Sequence, residues 1–541
     1  MAAEPGGSSG SAERKGRHRA LLRSTLVTSG LTVLSRIVGL VREQVRGYYL
    51  GTGTESDAFG IAATIPNMLR RLFAEGAMTA AFVPVFTGLR ADADPGRVQQ
   101  FYRGFMTLFV LLMAGVTMLG ILASGPLVEF LFAGRFHEVP GKVELTVGLT
   151  RVMFPYLFLV SIAAIIQATL NSFHVFGPSA FSPVLLSVAN IATVVFFHSW
   201  FPNPAWALAV GFLAGGVLQL AFQVPFLRKQ GITFRPTMAG IRDPAVWQVA
   251  RILLPGVFSA GIYQINVTIS QVIAAHLDPG SVASLQYSLR LQELVLGVFA
   301  VSVATVLLPT LSEQVHRQQW SDVKETFGFS VNLLAFVTFP ATVGLILLGT
   351  PIVRVLFQYG RFDDTSTAMT VFALQFHAAG IFFVALQRNV VQVFYAMHDL
   401  RTPTWVAAVV MLFHGVLCLG LSGPLRQGGI ALAGSVAAAL NVAMLWWLLR
   451  RRIGRMGIRA ILAGLGRTSA ATLVMGLVVW AVDRVGFLEG VRGWALAARL
   501  LPVILTAIAV YIVASRTLGS PELDEFLGIL RRRFRRGDRG G

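Results

Sequence analysis

Runs of about twenty apolar residues, separated by short polar or basic stretches, recur along the whole of this 541-residue chain. A helix of roughly 20 apolar residues is long enough to cross the hydrocarbon core of a bilayer. Fourteen such stretches can be marked, at 22–44, 56–87, 101–133, 144–173, 178–199, 205–227, 247–276, 281–311, 326–357, 366–396, 403–423, 428–449, 459–482 and 493–515. The short alternating segments of a membrane barrel are not seen. The pattern therefore predicts an all-α polytopic membrane protein with 14 transmembrane helices.

The pattern also repeats. "GPLVEFLFAGRF" (Gly125–Phe136) resembles "TPIVRVLFQYGRF" (Thr350–Phe362), and "QATLNSFHVFGPSAF" (Gln167–Phe181) resembles "QVFYAMHDLRTPTWV" (Gln392–Val406). "AMTAAFVPVFTGL" (Ala77–Leu89) resembles "AVSVATVLLPTLSEQ" (Ala300–Gln314). The pairs Pro126/Pro351, Gln167/Gln392, Pro178/Pro403 and Pro84/Pro309 all stand 225 residues apart. That offset spans six helices. An even number makes the repeats parallel, and transporters of such construction place substrate between their halves. The expected organisation is a basic disordered tail at 1–21, a six-helix lobe at 22–230 and a linker at 231–246. A second six-helix lobe follows at 247–452, then two additional helices at 453–515 and a basic tail at 516–541.

Composition sharpens this reading. The chain is 55% hydrophobic and only 13% charged, with a mean hydropathy of +0.67. Soluble domains carry about 25% charged residues. The net charge is +19, which in a soluble protein would suggest nucleic acid. Here it fits the excess of Lys and Arg in cytoplasmic loops. Arg14, Lys15, Arg17 and Arg19 precede the first span. Arg228, Lys229, Arg235 and Arg242 follow the sixth, and Arg450, Arg451, Arg452, Arg455 and Arg459 follow the twelfth. Arg531, Arg532, Arg533, Arg535 and Arg536 lie near the end. All fall on one side in a fourteen-span count, so both termini are expected in the cytoplasm. The N-terminal stretch has no apolar core of a signal peptide. The only cysteine is Cys418, which excludes an intrachain disulfide and CxxC-type metal sites.

Charges inside the apolar spans stand out, because an arginine at the centre of a bilayer costs roughly 2.5–3.5 kcal/mol on insertion scales. The relevant ones in the first half are Arg36, Arg42, Glu43, Arg46, Asp57, Arg70, Arg71 and Glu75, and in the second half Arg290 and Glu293. Arg46, near the end of its span, is expected to snorkel to the interface. Arg71 and Glu75, four apart, are expected to pair with each other. Arg36 sits in mid-span with no carboxylate within a turn, and Arg70 lies well inside the second span. Gln286, Arg290 and Glu293 form a polar stripe at helical spacing. That stripe is either a local Arg–Glu pair or a wet surface. Arginines outnumber carboxylates at membrane depth, and the planar guanidinium suits bidentate bonds to phosphate. An anionic cargo, a phosphate or pyrophosphate, is the expected partner.

Motifs of soluble enzymes carry no signal: GxxxxGK[ST] and HExxH do not occur, and GxSxG occurs only at Gly6–Gly10, in the polar N-terminal stretch and not after a strand. His174, His398 and His414 have no ligand spacing, so neither a metal site nor a cofactor is expected. "GFLAG" (Gly211–Gly215) fits close helix packing. A membrane enzyme acting on lipid pyrophosphate would need a carboxylate cluster for metal, and none is legible.

"SRIVGLVREQ", "SDAFGIAATIPNMLRRLFAEGAMTAAFVPVF" and "LFQYGRF" resemble the MurJ/MviN family, the lipid II flippases of the MOP exporter superfamily. The similarity spans residues 22–515. It implies a bacterial inner-membrane protein that moves undecaprenyl-pyrophosphate-linked disaccharide-pentapeptide from the cytoplasmic to the outer leaflet. The family's residues needed for flipping fall, by motif, on Arg36 and Arg42, on Asp57 and Arg70, and on Arg290 and Glu293. The chain departs from the family pattern at Glu43, where Asp is frequent, and at Leu289, where "DRL" is common. The span 403–423 holds no Asp or Glu, unlike sodium-coupled members. The partners implied are lipid II and membrane lipids, with cell-wall synthesis or division proteins as further candidates and no nucleic acid. A MOP-type exporter of another lipid-linked glycan is the alternative. A drug exporter fits less well, since a cationic cargo calls for carboxylates.

Overall fold

The structure is a computed structural model that describes residues 9–73, 77–92, 94–132 and 137–525. Its helices are α1 (Ser9–Leu50), α2 (Thr54–Phe73), α3 (Ala77–Ala91), α4 (Pro95–Leu122), α5 (Ser124–Phe132), α6 (Lys142–Ser172), α7 (Gly177–Phe197), α8 (Pro204–Lys229) and α9 (Pro244–Ala275). They continue as α10 (Ser281–His316), α11 (Trp320–Leu347), α12 (Gly349–Phe357), α13 (Asp364–Ala379), α14 (Ile381–Ala396), α15 (Arg401–Ile453), α16 (Ile458–Arg484) and α17 (Gly493–Thr517). No strand occurs among the described residues. Eight of the described helices are long and apolar enough to cross a membrane, or nine if the bent α13–α14 pair is one span. The chain is therefore an all-helical, multi-pass membrane protein.

Helix boundaries follow local chemistry. Asp94 accepts from the backbone N–H groups of Gly96 and Arg97 ahead of α4, with Pro95 in the first helical position. Asn203 caps α8 through Ala205, again followed by proline. Asp363 caps α13 through the Ser366 N–H. Each cap satisfies donors that the first helical turn leaves orphaned. α15 bends at Arg426 (φ 47°, ψ −133°), two residues after Pro424, at the interval between the stretches expected at 403–423 and 428–449.

Two differences from expectation concern ends and boundaries. α1 begins at Ser9 rather than at residue 22, so most of the stretch expected as a disordered tail is helical. Ala, Glu, Lys, Arg and Leu over 12–23 are good helix formers and run directly into the apolar stretch. The chain forms two compact units. The first holds residues up to Leu50 and nearly all of Ala58–Gln264; the second holds Gly51–Asp57 and Ile265 onward. The change of unit thus falls inside α9 and not in the 231–246 segment. Residues 1–8, Gly134–Phe136 of the first repeated motif and the arginines at 531–536 lie outside the described residues.

In the first unit α6, α7 and α8 pack together, with α1 on α7 and α4 on α6. One core is a cluster of aromatic rings: Phe82 meets Phe86, Phe101 and Phe105, and Phe105 meets Phe101 and Phe109, with centroids 5.1–6.1 Å apart. In the second unit α10 packs on α13 and α14, α11 on α16, and α16 on α17. The α13–α14 pair bends by 42° at Gly380. Three carbonyls beside the bend are taken up by side chains. Ser435 donates to Phe376 O, Gln292 to His377 O and Thr342 to Ala378 O, at 2.7, 2.8 and 3.0 Å. Broken helices persist at membrane depth only where neighbours re-satisfy the backbone in this way.

Candidate functional site

The charged end of α1 lies in the first unit. The Arg42 guanidinium donates to Glu43 Oε1 at 2.7 Å, and Arg46 Nη1 stands 3.7 Å from Glu43 Oε2. The Glu43 and Arg46 side chains are 8% and 9% exposed. Arg46 also lies over the Phe59 ring, 5.1 Å from its centroid. The expectation that Arg46 snorkels is therefore corrected: it is buried, because a carboxylate one turn away and an aromatic face replace the water it leaves. Two guanidinium groups share the Glu43 carboxylate. Arg36 precedes Glu43 by seven residues, two turns along the same face. It is exposed, among exposed Val33, Leu34 and Ile37, and it makes no ion pair among the described residues.

Arg70 lies on α2, with its Nε 3.3 Å from Asn67 Oδ1. Asn67 in turn donates to Ala63 O, one turn back. Arg71 is described, but Glu75 lies outside the described residues, and with it the expected pair.

Asp57 belongs to the second unit, and its carboxylate is committed there. Oδ2 accepts from Gly280 N–H at 2.8 Å and Oδ1 from Ala283 N–H at 2.9 Å. The residue is 1% exposed. It thus caps α10 from 223 positions away in sequence, meeting both the orphan donors and the positive end of the helix dipole. Gly280 has φ +92°, and a Cβ there would come within 2.3 Å of Thr52 O, so only glycine suits the approach. Neighbouring contacts hold the same segment. Tyr287 Oη donates to Gly51 O at 3.4 Å, Thr52 bonds Ser366 at 2.9 Å, and Arg361 pairs with Glu55 at 2.8 Å. The residue expected to touch cargo, Asp57, holds the start of α10 through both carboxylate oxygens.

α10 carries the polar stripe. Arg290 Nη1 and Glu293 Oε2 pair at 2.9 Å with side chains 45% and 39% exposed. The pair is thus a contact on the open side of the helix rather than in the core of the unit. Gln286 donates to Gln271 of α9 at 3.1 Å, and Ser288 bonds the His377 ring at 2.9 Å. Sequence reasoning missed Glu43 and Arg46 as a buried unit, although their three-residue spacing was a usable signal. Gln271 carried no such signal, since a lone glutamine in an apolar helix has none. No group of three His, Cys, Asp or Glu that could hold a metal occurs among the described residues.

Comparison with known proteins gives a consistent picture. The family model described as "Lipid II flippase MurJ" matches residues 47–498. A "Probable lipid II flippase MurJ" of Vibrio cholerae is 32% identical over 516 residues, covering 93% of this chain and 97% of the relative. The chain belongs to the MurJ family. Another MurJ relative, from Treponema pallidum, is 34% identical over 440 residues, covering 80% of this chain and 82% of its own length. A solved MurJ structure described as an inward closed conformation matches with a TM-score of 0.77 at 25% identity, over 91% of this chain and 98% of that one. Asp57, Arg70, Arg290 and Glu293 fall inside the MurJ match, whereas Arg36 and Arg42 lie just before it.

Proposed function

We propose that this protein is a lipid II flippase. It carries the undecaprenyl-pyrophosphate-linked disaccharide-pentapeptide from the cytoplasmic to the outer leaflet of the inner membrane by alternating exposure of its cargo, and it catalyses no chemical reaction. The observation that carries the reading is the match to the lipid II flippase family over residues 47–498. The pyrophosphate is held by Arg36, Arg42, Arg70 and Arg290. In support, Arg36 is exposed, and Arg42 and Arg46 both face the Glu43 carboxylate. Arg290 lies on the open side of α10. A guanidinium has five N–H donors, so it can serve a phosphate together with another acceptor. Glu293 orients Arg290, and Asp57 holds the helix that bears it.

In this reading the chain crosses the membrane fourteen times, with both termini in the cytoplasm and two parallel six-helix repeats. Helix bounds support the repeat: α4 (Pro95–Leu122) and α11 (Trp320–Leu347) are offset by 225 at both ends, as are α5 (Ser124–Phe132) and α12 (Gly349–Phe357). Depleting the protein and measuring which leaflet holds lipid II tests the function. Accumulation on the cytoplasmic side is expected. An unchanged lipid II distribution, with another lipid-linked glycan trapped inside, would transfer the arginine site to that cargo.

A further inference from the structure

A cavity of about 300 Å³ opens on the second unit where α12 leads into α13. Arg354 and Asp364 line one end, and Ala368, Phe372 and Gln375 carry it down α13 towards Thr350. From Asp364 to Gln375 that wall runs about 16 Å along the helix. Asp364, Ala368, Phe372 and Gln375 are all exposed, so the cavity is open along its length and not only at one end. Phe372 is fixed in place: it meets Phe376 edge-on at 5.2 Å, and α15 approaches so closely that a Cβ on Gly428 would lie 2.5 Å from its ring. The Arg354 end is polar and charged, and the wall below it is largely apolar.

Arg354 and Arg492 both reach Asp364, each at 3.5 Å, which is long for a charge-assisted bond. Asp364 is held more firmly by Gln358 at 2.7 Å. Arg354 is thus only loosely committed to Asp364, while the neighbouring Asp363 carboxylate is taken up by the Ser366 N–H. The Arg354 side chain is 40% exposed, so its terminal N–H groups can reach a further acceptor in the cavity. A phosphodiester supplies one negative charge and two acceptor oxygens, and an acyl chain matches the exposed apolar wall. We infer that this cavity is a phospholipid site, with the phosphodiester head on Arg354 and one acyl chain along Ala368 and Phe372. The ligand is a resident membrane lipid and not the transported precursor, so the inference goes beyond the flippase reading.

The test uses the purified full-length protein in detergent. Native mass spectrometry measures retention of dioleoylphosphatidylglycerol, of dioleoylglycerol and of glycerol 3-phosphate. The phospholipid should be held, and the molecules lacking either phosphate or chains should not. Arg354→Gln should weaken the tightest phospholipid equivalent about tenfold, as expected for losing a charge-assisted contact. Ala368→Trp should also weaken it, by filling the chain groove without touching a charge. Arg484→Gln, an exposed arginine stacked on Trp480, should leave retention unchanged. Undiminished retention in either of the first two variants overturns the site. Equal retention of dioleoylglycerol would reduce it to an apolar patch, and equal retention of glycerol 3-phosphate to a simple anion site. If Arg354→Gln does not fold, Ala368→Trp decides alone. Lipid retention is read without any transport measurement, so this result and that of the flippase reading are independent.

Discussion

Glu43–Arg46 on α1 and Arg290–Glu293 on α10 have the same composition and the same spacing of three residues, yet they do opposite things. The α1 pair is the longer of the two, at 3.7 Å, and nearly sealed. The α10 pair is the shorter, at 2.9 Å, with both side chains more than a third exposed. Distance alone would rank them the wrong way. A buried carboxylate cannot lose its partner without an uncompensated charge remaining in a medium of low polarity. An exposed pair exchanges its partner for water at little cost, and surface pairs at this spacing contribute only about 0.3–0.5 kcal/mol. The α1 pair is therefore a structural commitment, and the α10 pair is one that can exchange partners at little cost.

Breaking the α1 pair should have the largest effect on folding. Glu43→Ala leaves Arg46 buried against Phe59, and a loss of about 3–5 kcal/mol is expected, read as a fall in the thermal unfolding midpoint of the purified protein. Glu43→Leu/Arg46→Leu should recover much of that loss. If the single variant unfolds like wild type, the cluster is not a structural unit.

Asp57→Ala comes next. It removes the cap of α10 and leaves two buried N–H donors without their acceptor, for an expected cost of about 1–3 kcal/mol. Faster hydrogen exchange should be confined to the first turns of α10. Unchanged exchange there, with transport lost, would place Asp57 among the cargo-binding residues.

The α10 pair should behave in the contrary way. Arg290→Ala/Glu293→Ala is expected to unfold within about 0.5 kcal/mol of wild type yet fail to complement loss of the flippase. Arg290→Lys keeps the charge without the bidentate fork and should complement in part. Full function in the double variant would make the pair merely structural and erase the contrast with α1.

The smallest effect on folding is expected at Arg36, which makes no ion pair among the described residues and is exposed. Arg36→Ala should fold as wild type and lose cell-wall complementation at normal protein levels. Retained complementation would remove α1 from the cargo site.

The amino-acid sequence by itself determined where helices form and which of them are apolar enough for a membrane, because period, length and caps such as Asp94, Asn203 and Asp363 act within a few residues. It also determined that arginine exceeds carboxylate at span depth, since composition needs no coordinates. It left undecided which charges are buried. Arg46 reads like any arginine near a helix end until Phe59 is seen beneath it. Asp57 reads as a membrane carboxylate until α10 is seen to begin at its oxygens, 223 residues further on. The bend at Gly380 was equally hidden, because the hydroxyls and amide that satisfy its carbonyls come from α10, α11 and α15. In each case the deciding partner is distant in sequence, and the free energy of a charge or a polar backbone group depends on what replaces its water. Local pattern determines the helix, but only the packed neighbours determine the solvent each side chain experiences.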